Sequence, residues 1–222
     1  SQKKETSSAG KTEPAAPEDI EISLIIPTTT YGKPALEHCL LSVYEHCDTS
    51  ELELIVIDNA SLDDTHDYLD ELQEKNFLNC RIVTNSKNAG FAASVNQGLE
   101  KAQGRYACII HNDVEFSDGA LANLRDLMDT HPGYAIMGPA TNKTLNPDQA
   151  TRTIEDTAPD VVRTEYLDSF CMMLRTDADL RMDEAYQLAF FEDIDLCFQA
   201  RSDDFKVGIA PHVEVEHHFG TT

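Results

Sequence analysis

Four apolar runs in the first half of the chain each end in residues that can hold a ligand. Residues 21–26 are followed by Pro27 and Thr28, and residues 52–57 by Asp58, Asn59 and Ser61. Residues 81–84 are followed by Asn85, Lys87, Asn88 and Gly90, and residues 105–110 by His111, Asn112 and Asp113. A carboxylate can accept hydrogen bonds from a nucleobase N–H or a ribose hydroxyl, or bind a divalent cation. An amide can contact base or ribose, and a glycine lets backbone approach a ligand closely. Further along, Glu192, Asp193 and Asp195 open a helical pattern. Carboxylates suit the positive end of a helix. One polar run-end means little, because loops are polar; four in series point to a ligand site.

The elements that must position these groups alternate. The apolar runs read as strands. Between them, helical spacing runs from Pro34 to about Cys47, then through Leu69 and Leu72 from a capping box at Ser61 and Asp64, then over residues 91–102 with Gly104 as C-cap. A helix over 117–130 and a strand over 135–137 follow. Residues 141–160 read as loop, 169–174 as a strand, 192–201 as a helix and 205–210 as a strand. Alternating buried strand and helix implies a mostly parallel, Rossmann-like α/β sheet flanked by helices, with ligands bound beyond the carboxyl ends of its strands. Residues 1–19, polar and without periodicity, read as a disordered tail or linker, and residues 20–222 as one catalytic domain.

Composition narrows the partners. Forty acidic against 17 basic residues give a formal charge of −23, which argues against nucleic acid and against docking on anionic lipid. A diphosphate bound to such a chain needs a local reversal of sign, and a divalent cation supplies one. No stretch is long and apolar enough to span a bilayer. Six cysteines without a CxxC pair read as buried free thiols in a reducing compartment, hence a cytoplasmic location, membrane association resting with parts of a parent protein outside this chain. A dinucleotide-binding GxGxxG is missing after the first strand, as are the paired carboxylates of a receiver domain and the Gly- and Arg-rich loop of a nucleotidyltransferase.

Ile25-Ile26-Pro27, Val56 to Ser61, Asn88-Ala89-Gly90-Phe91 with Asn96 and Gly98, Asn112-Asp113-Val114 and Glu192-Asp193-Ile194-Asp195-Leu196-Cys197 together resemble family 2 glycosyltransferases, closest to the rhamnosyltransferase-like branch. The resemblance runs in order from about residue 21 to 222. It implies a GT-A fold and inverting transfer of a sugar from a nucleotide-diphosphate-sugar donor to a hydroxyl on a carbohydrate or glycoconjugate acceptor. By motif position it assigns the nucleotide to Pro27, Thr28, Asp58, Asn88 and Asn112. It assigns Mn²⁺ or Mg²⁺ to Asp113, with His217 or alternatively His218 from a late His-x-x-Gly segment ending at Gly220. Asp193 becomes the general base, and Asp168 and Glu192 contact acceptor or donor sugar. His111 stands where the family often places its first Asp. That departure supports a second possibility, a degenerate module that binds nucleotide or carbohydrate without turnover.

Overall fold

The structure, a computed structural model, describes residues 20–151, 157–186 and 190–218. The expected tail over 1–19 and Gly220 lie outside the described residues. In chain order the elements are β1 (Ile22–Thr28), α1 (Lys33–His46), β2 (Leu52–Asp58), α2 (Asp64–Glu74), β3 (Arg81–Thr84), α3 (Phe91–Lys101), β4 (Tyr106–Ile110), β5 (Val114–Phe116), α4 (Ala120–Thr130), β6 (Tyr134–Thr141), β7 (Val162–Thr164), β8 (Cys171–Arg175), α5 (Glu192–Ser202) and β9 (Lys206–His217).

One sheet carries the strands in the order β3-β2-β1-β4-β8-β6-β9-β5, with β7 also paired to β9. β3, β2, β1 and β4 are mutually parallel. β8 runs antiparallel to both β4 and β6, β6 and β9 are parallel, and β5 and β7 lie antiparallel along β9. The strand order reverses at β1, flanked by β2 and β4, and that is where an open sheet leaves a crevice above its strand ends.

Side-chain parity along the strands sorts the core onto two faces. Ile22, Leu24 and Ile26 of β1 and Leu52, Leu54 and Val56 of β2 pack with α1, α2 and α4. Ile25, Ile55 and Ile57 face the other way, where α3 and α5 pack against Ile109, Ile136 and Met172. Burial on both faces is why these strands read as unbroken apolar runs. α3 lies close on β1: a Cβ added at Gly98 would sit 2.3 Å from Ile25 Cγ2. Gly98→Ala is therefore expected to cost roughly 1–3 kcal/mol, read as a melting temperature lowered by several degrees; an unchanged melting temperature would show that helix and strand can separate freely.

Several expected element ends move, each for a local reason. α2 is capped by Asp63, whose Oδ1 accepts from the Thr65 N–H at 3.2 Å, instead of by Ser61. α3 ends at Ala102, and Gly104 serves a different need: a Cβ there would lie 2.8 Å from the Ser23 backbone nitrogen of β1. α4 begins at Ala120 because residues 114–116 form β5 and the Ser117 hydroxyl donates to the Glu214 carbonyl of β9 at 2.6 Å. Among the described residues, no helix is long and apolar enough to cross a membrane.

Candidate active site

A cleft of about 1480 Å³ opens above the carboxyl ends of β1 and β4. One wall comes from the ends of β1, β2, β3 and β4. Pro27, Thr28, Asn59, Asn88 and Asn112 line it. Thr28 is pinned by Asn112, whose Nδ2 donates to Thr28 Oγ1 at 3.2 Å. The loop before α3 is shaped by an amide network. Asn59 Nδ2 donates to Asn88 Oδ1 at 2.8 Å, Asn59 Oδ1 accepts from the Ala89 N–H at 2.7 Å, and Asn85 donates to Asn59 at 3.2 Å. With its side-chain oxygen taken by Asn59 and by the Gly90 N–H, Asn88 keeps its own amide N–H groups for a ligand.

Asp58 takes a different place. It is fully buried and does not line the cleft. Its Oδ1 accepts from the Ser61 N–H at 2.9 Å and its Oδ2 faces His66 Nδ1 at 3.0 Å. The carboxylate fixes the turn that carries Asn59, and in return it raises the His66 pKa.

His111, Asp113 and His217 form a cluster in which one donor atom from each lies within 4.8 Å of the others. The short strand β5 creates it. β5 pairs with the end of β9 so that Val114 stands opposite His217, which brings His217 against Asp113; Nε2 of His217 lies 3.3 Å from Asp113 Oδ1. His218, one residue on, turns to Glu115 instead, at 2.9 Å. His217 Nδ1 donates to the Lys143 carbonyl at 3.0 Å, which turns Nε2 toward the Asp113 carboxylate. Burial, with His217 alongside, pushes the His111 imidazole down to about 4, so its ring is neutral and free to ligate near neutral pH. Two imidazoles and a carboxylate fit a divalent transition metal. Electrostatics favours one too, because the described lining carries the carboxylates of Asp168, Glu184, Glu192 and Asp193 against Lys87.

The opposite wall is the start of α5. Glu192, Asp193 and Asp195 occupy its first turn. Asp193 Oδ1 accepts from the Ile194 N–H at 2.8 Å and Oδ2 from the Ser169 N–H at 3.2 Å. Burial raises the pKa of Asp193, with Asp168 adding to it; burial also raises Glu192. Asp168 lines the cleft, but its Oδ2 is committed to the N–H groups of Leu145 and Asn146, at 2.5 and 3.0 Å, and to the Thr144 hydroxyl. It thus holds the loop that follows β6.

The cleft therefore brings together Pro27, Thr28, Asn88, Asn112, Asp168, Glu192, Asp193 and His217, with Asp113 just behind His111 and His217, and leaves Asp58 beneath the surface. Asn59, which the sequence singled out at the end of β2, is the hub of the amide network; the sequence reasoning passed over the Lys143 carbonyl that meets His217 Nδ1 and the exposed pair Phe190 and Phe191 at the lip.

Known proteins match this arrangement. The profile described as Glycosyl transferase family 2 matches residues 23–191. Curated relatives include the GalNAc(5)-diNAcBac-PP-undecaprenol beta-1,3-glucosyltransferase of Campylobacter jejuni, 28% identical over 115 residues, which are 52% of this chain and 36% of that protein. The dolichyl N-acetyl-alpha-D-glucosaminyl phosphate 3-beta-D-2,3-diacetamido-2,3-dideoxy-beta-D-glucuronosyltransferase of Methanococcus voltae is 30% identical over 128 residues, 55% of this chain and 39% of that protein. The chain thus spans well under half the length of these relatives. Among solved structures, the mannosyltransferase PcManGT from Pyrobaculum calidifontis in complex with GDP-Man and Mn²⁺ aligns over 94% of this chain and 61% of its own, with a TM-score of 0.73 and 19% identity. TarS of S. aureus in complex with UDP-GlcNAc aligns over 89% and 58%, with a TM-score of 0.68 and 19% identity. These likenesses establish the GT-A fold. With the family profile covering most of the chain, and the sheet, the crevice and the acidic start of α5 in the places that the sequence pattern implied, the chain belongs to the family 2 glycosyltransferases.

Proposed function

We propose that this chain transfers a sugar from a nucleoside-diphosphate sugar to a hydroxyl of a carbohydrate or glycoconjugate acceptor, with inversion at the anomeric carbon. The observation that carries this is the meeting, in one cleft, of the His111–Asp113–His217 cluster and the buried carboxylate of Asp193. The nucleoside lies along Pro27, Thr28, Asn88 and Asn112, over the turn that Asp58 holds in shape. His111, Asp113 and His217 hold a divalent cation, and the nitrogen donors favour Mn²⁺ over Mg²⁺. When bound, the cation neutralises charge on the departing diphosphate.

Asp193 does the proton work. Its carboxylate accepts the proton of the acceptor hydroxyl as that oxygen attacks the anomeric carbon from the face opposite the diphosphate. One bond forms as the other breaks, so an α-linked donor gives a β product. The Ser169 and Ile194 N–H groups orient the carboxylate, and burial raises its proton affinity toward that of a useful base. Asp168 and Glu192 contact the sugars. On the Glu192–Cys197 segment we place the chain in the rhamnosyltransferase-like branch, and its free thiols suit a cytoplasmic site of action. The substitution at 111, which would favour a degenerate binding module, instead supplies a donor to the metal cluster.

A thermal-shift panel of UDP, GDP, dTDP and CMP sugars with and without Mn²⁺ tests this. At least one donor is expected to raise the melting temperature, and only when Mn²⁺ is present. Stabilisation that is the same after EDTA, or none with any donor, counts against it.

A further inference from the structure

The lip of the cleft beside Asp193 is apolar on an otherwise acidic chain. Phe190 and Phe191 line the cleft and are 65% and 63% exposed. Both hold left-handed backbone, with φ of 79° and 77°. Cβ sterics disfavour that region for a bulky residue, and here neither side chain is compensated by burial. Strain of this kind gathers at ligand clamps. The next residue, Glu192, also lines the cleft. It is 4% exposed, and its Oε2 has no hydrogen-bond partner among the described residues, although a buried carboxylate oxygen ordinarily has one.

An exposed pair of aromatic faces next to a carboxylate that lacks a donor calls for an occupant with two properties. It must offer an apolar face to the rings and a hydroxyl to the oxygen. A pyranose has both: C–H groups on one face and hydroxyls at its edge. A bare isoprenoid supplies no donor for Glu192, and a phosphate placed here would meet the carboxylates of Glu184, Glu192 and Asp193.

We propose that the acceptor ends in a pyranose that packs on Phe190 and Phe191 and donates a hydroxyl to Glu192, which sets its reacting hydroxyl before Asp193. This rests on the transferase function proposed above and names the acceptor end of that same cleft. Phe190 and Phe191 are then specificity-determining residues: they touch the acceptor, and the donor's nucleoside and diphosphate lie on the other wall.

The test uses two measurements on the wild-type chain, the double variant Phe190→Ala/Phe191→Ala and the variant Phe191→Tyr. In the first, saturation-transfer NMR is recorded with the methyl β-glycosides of glucose, galactose and N-acetylglucosamine, and with farnesyl phosphate. In the second, release of nucleoside diphosphate to water is followed with UDP-glucose, UDP-GlcNAc and GDP-mannose. At least one glycoside is expected to be saturated by the wild type, to bind at least about tenfold more weakly to the double variant, a loss of about 1.4 kcal/mol, and to be retained by Phe191→Tyr. Release to water reports the donor side, and its KM for the donor is expected to be equal in all three proteins. Equal glycoside binding by wild type and double variant overturns the proposal. So does contact with farnesyl phosphate alone, which would assign the apolar lip, continued by the exposed Ile194 and Phe198, to a lipid. A donor KM raised in the double variant alongside glycoside binding also overturns it, by placing the rings at the donor sugar. A wild type that releases nothing from any donor contradicts the transferase function, while the NMR arm still decides the stacking.

Discussion

Asp193→Asn is expected to leave nucleotide-sugar binding intact and to cut transfer by about 10²–10⁴-fold, the usual contribution of a positioned general base. The substitution keeps size and shape, its carbonyl oxygen can keep one of the two N–H contacts that reach separate carboxylate oxygens from Ile194 and Ser169, and the donor wall is untouched. What it removes is the proton acceptor. The pH dependence gives the same role a second signature. Burial raises the pKa of Asp193 above the ordinary aspartate value of 3.8, and the nearby Asp168 charge adds to the rise. Only the ionised form is a base, so kcat/KM falls as pH drops through that raised pKa, and its acid limb lies above the position an exposed aspartate would give. In Asp193→Asn that limb disappears from the residual rate. Full activity in the variant, or an acid limb unchanged by it, would remove Asp193 from the reaction.

Asp113→Asn is the second large effect. Loss of a group that only orients a metal ligand typically weakens metal affinity 10–100-fold, so removing the charged ligand itself is expected to weaken Mn²⁺ binding by at least about 100-fold, with transfer lost in step. EDTA should stop wild-type turnover and Mn²⁺ restore it. His217→Ala is expected to follow Asp113→Asn in direction, since its Nε2 faces the same carboxylate at 3.3 Å. His218→Ala should bind Mn²⁺ like the wild type, since its ring is turned to Glu115. Calorimetric titration of Mn²⁺ into the three variants reads all of this, with circular dichroism to establish that each is folded. If His218→Ala loses the metal and His217→Ala keeps it, the late ligand has been misassigned.

The parallel half of the fold was legible because its signals are long and redundant. β3 falls where the residues 81–84 pattern placed it, and β1, β2 and β4 shift by at most two residues at an end. β1, β2 and β4 are almost wholly buried, so each reads as an apolar run, and β1, β2 and β3 are each followed by a helix of at least 11 residues. The antiparallel half was less visible. β5 and β7 have three residues each, too few for periodicity. β9 continues past Pro211, where sequence reasoning stopped it. Yet residues 213–217 alternate: Val213, Val215 and His217 are buried, and Glu214 and Glu216 are exposed. That period of two already separates His217 from His218, because only one of them can share the inner face.

The site divides in the same way. Asp113 and Asp193 were nominated from motif position: Asp113 follows the end of β4 and Asp193 opens α5. Register could not be read. Nothing in the chain announces that Val114 pairs with His217, and that pairing is what brings His217 to Asp113 and His111. Asp58 illustrates the converse. A carboxylate at a strand end looks available, but Ser61 and His66 claim both oxygens once the turn folds. Phe190 and Phe191 went unremarked in the sequence, and they remain at the surface.

The most direct test of the central claim is the anomalous diffraction of a crystal grown with Mn²⁺ and a nucleoside-diphosphate sugar. The expected map shows one manganese peak at bonding distance from Asp113 and His217, with the Asp193 carboxylate on the far side of the anomeric carbon from the diphosphate. Manganese bound away from Asp113, or Asp193 on the same side as the leaving group, would contradict it.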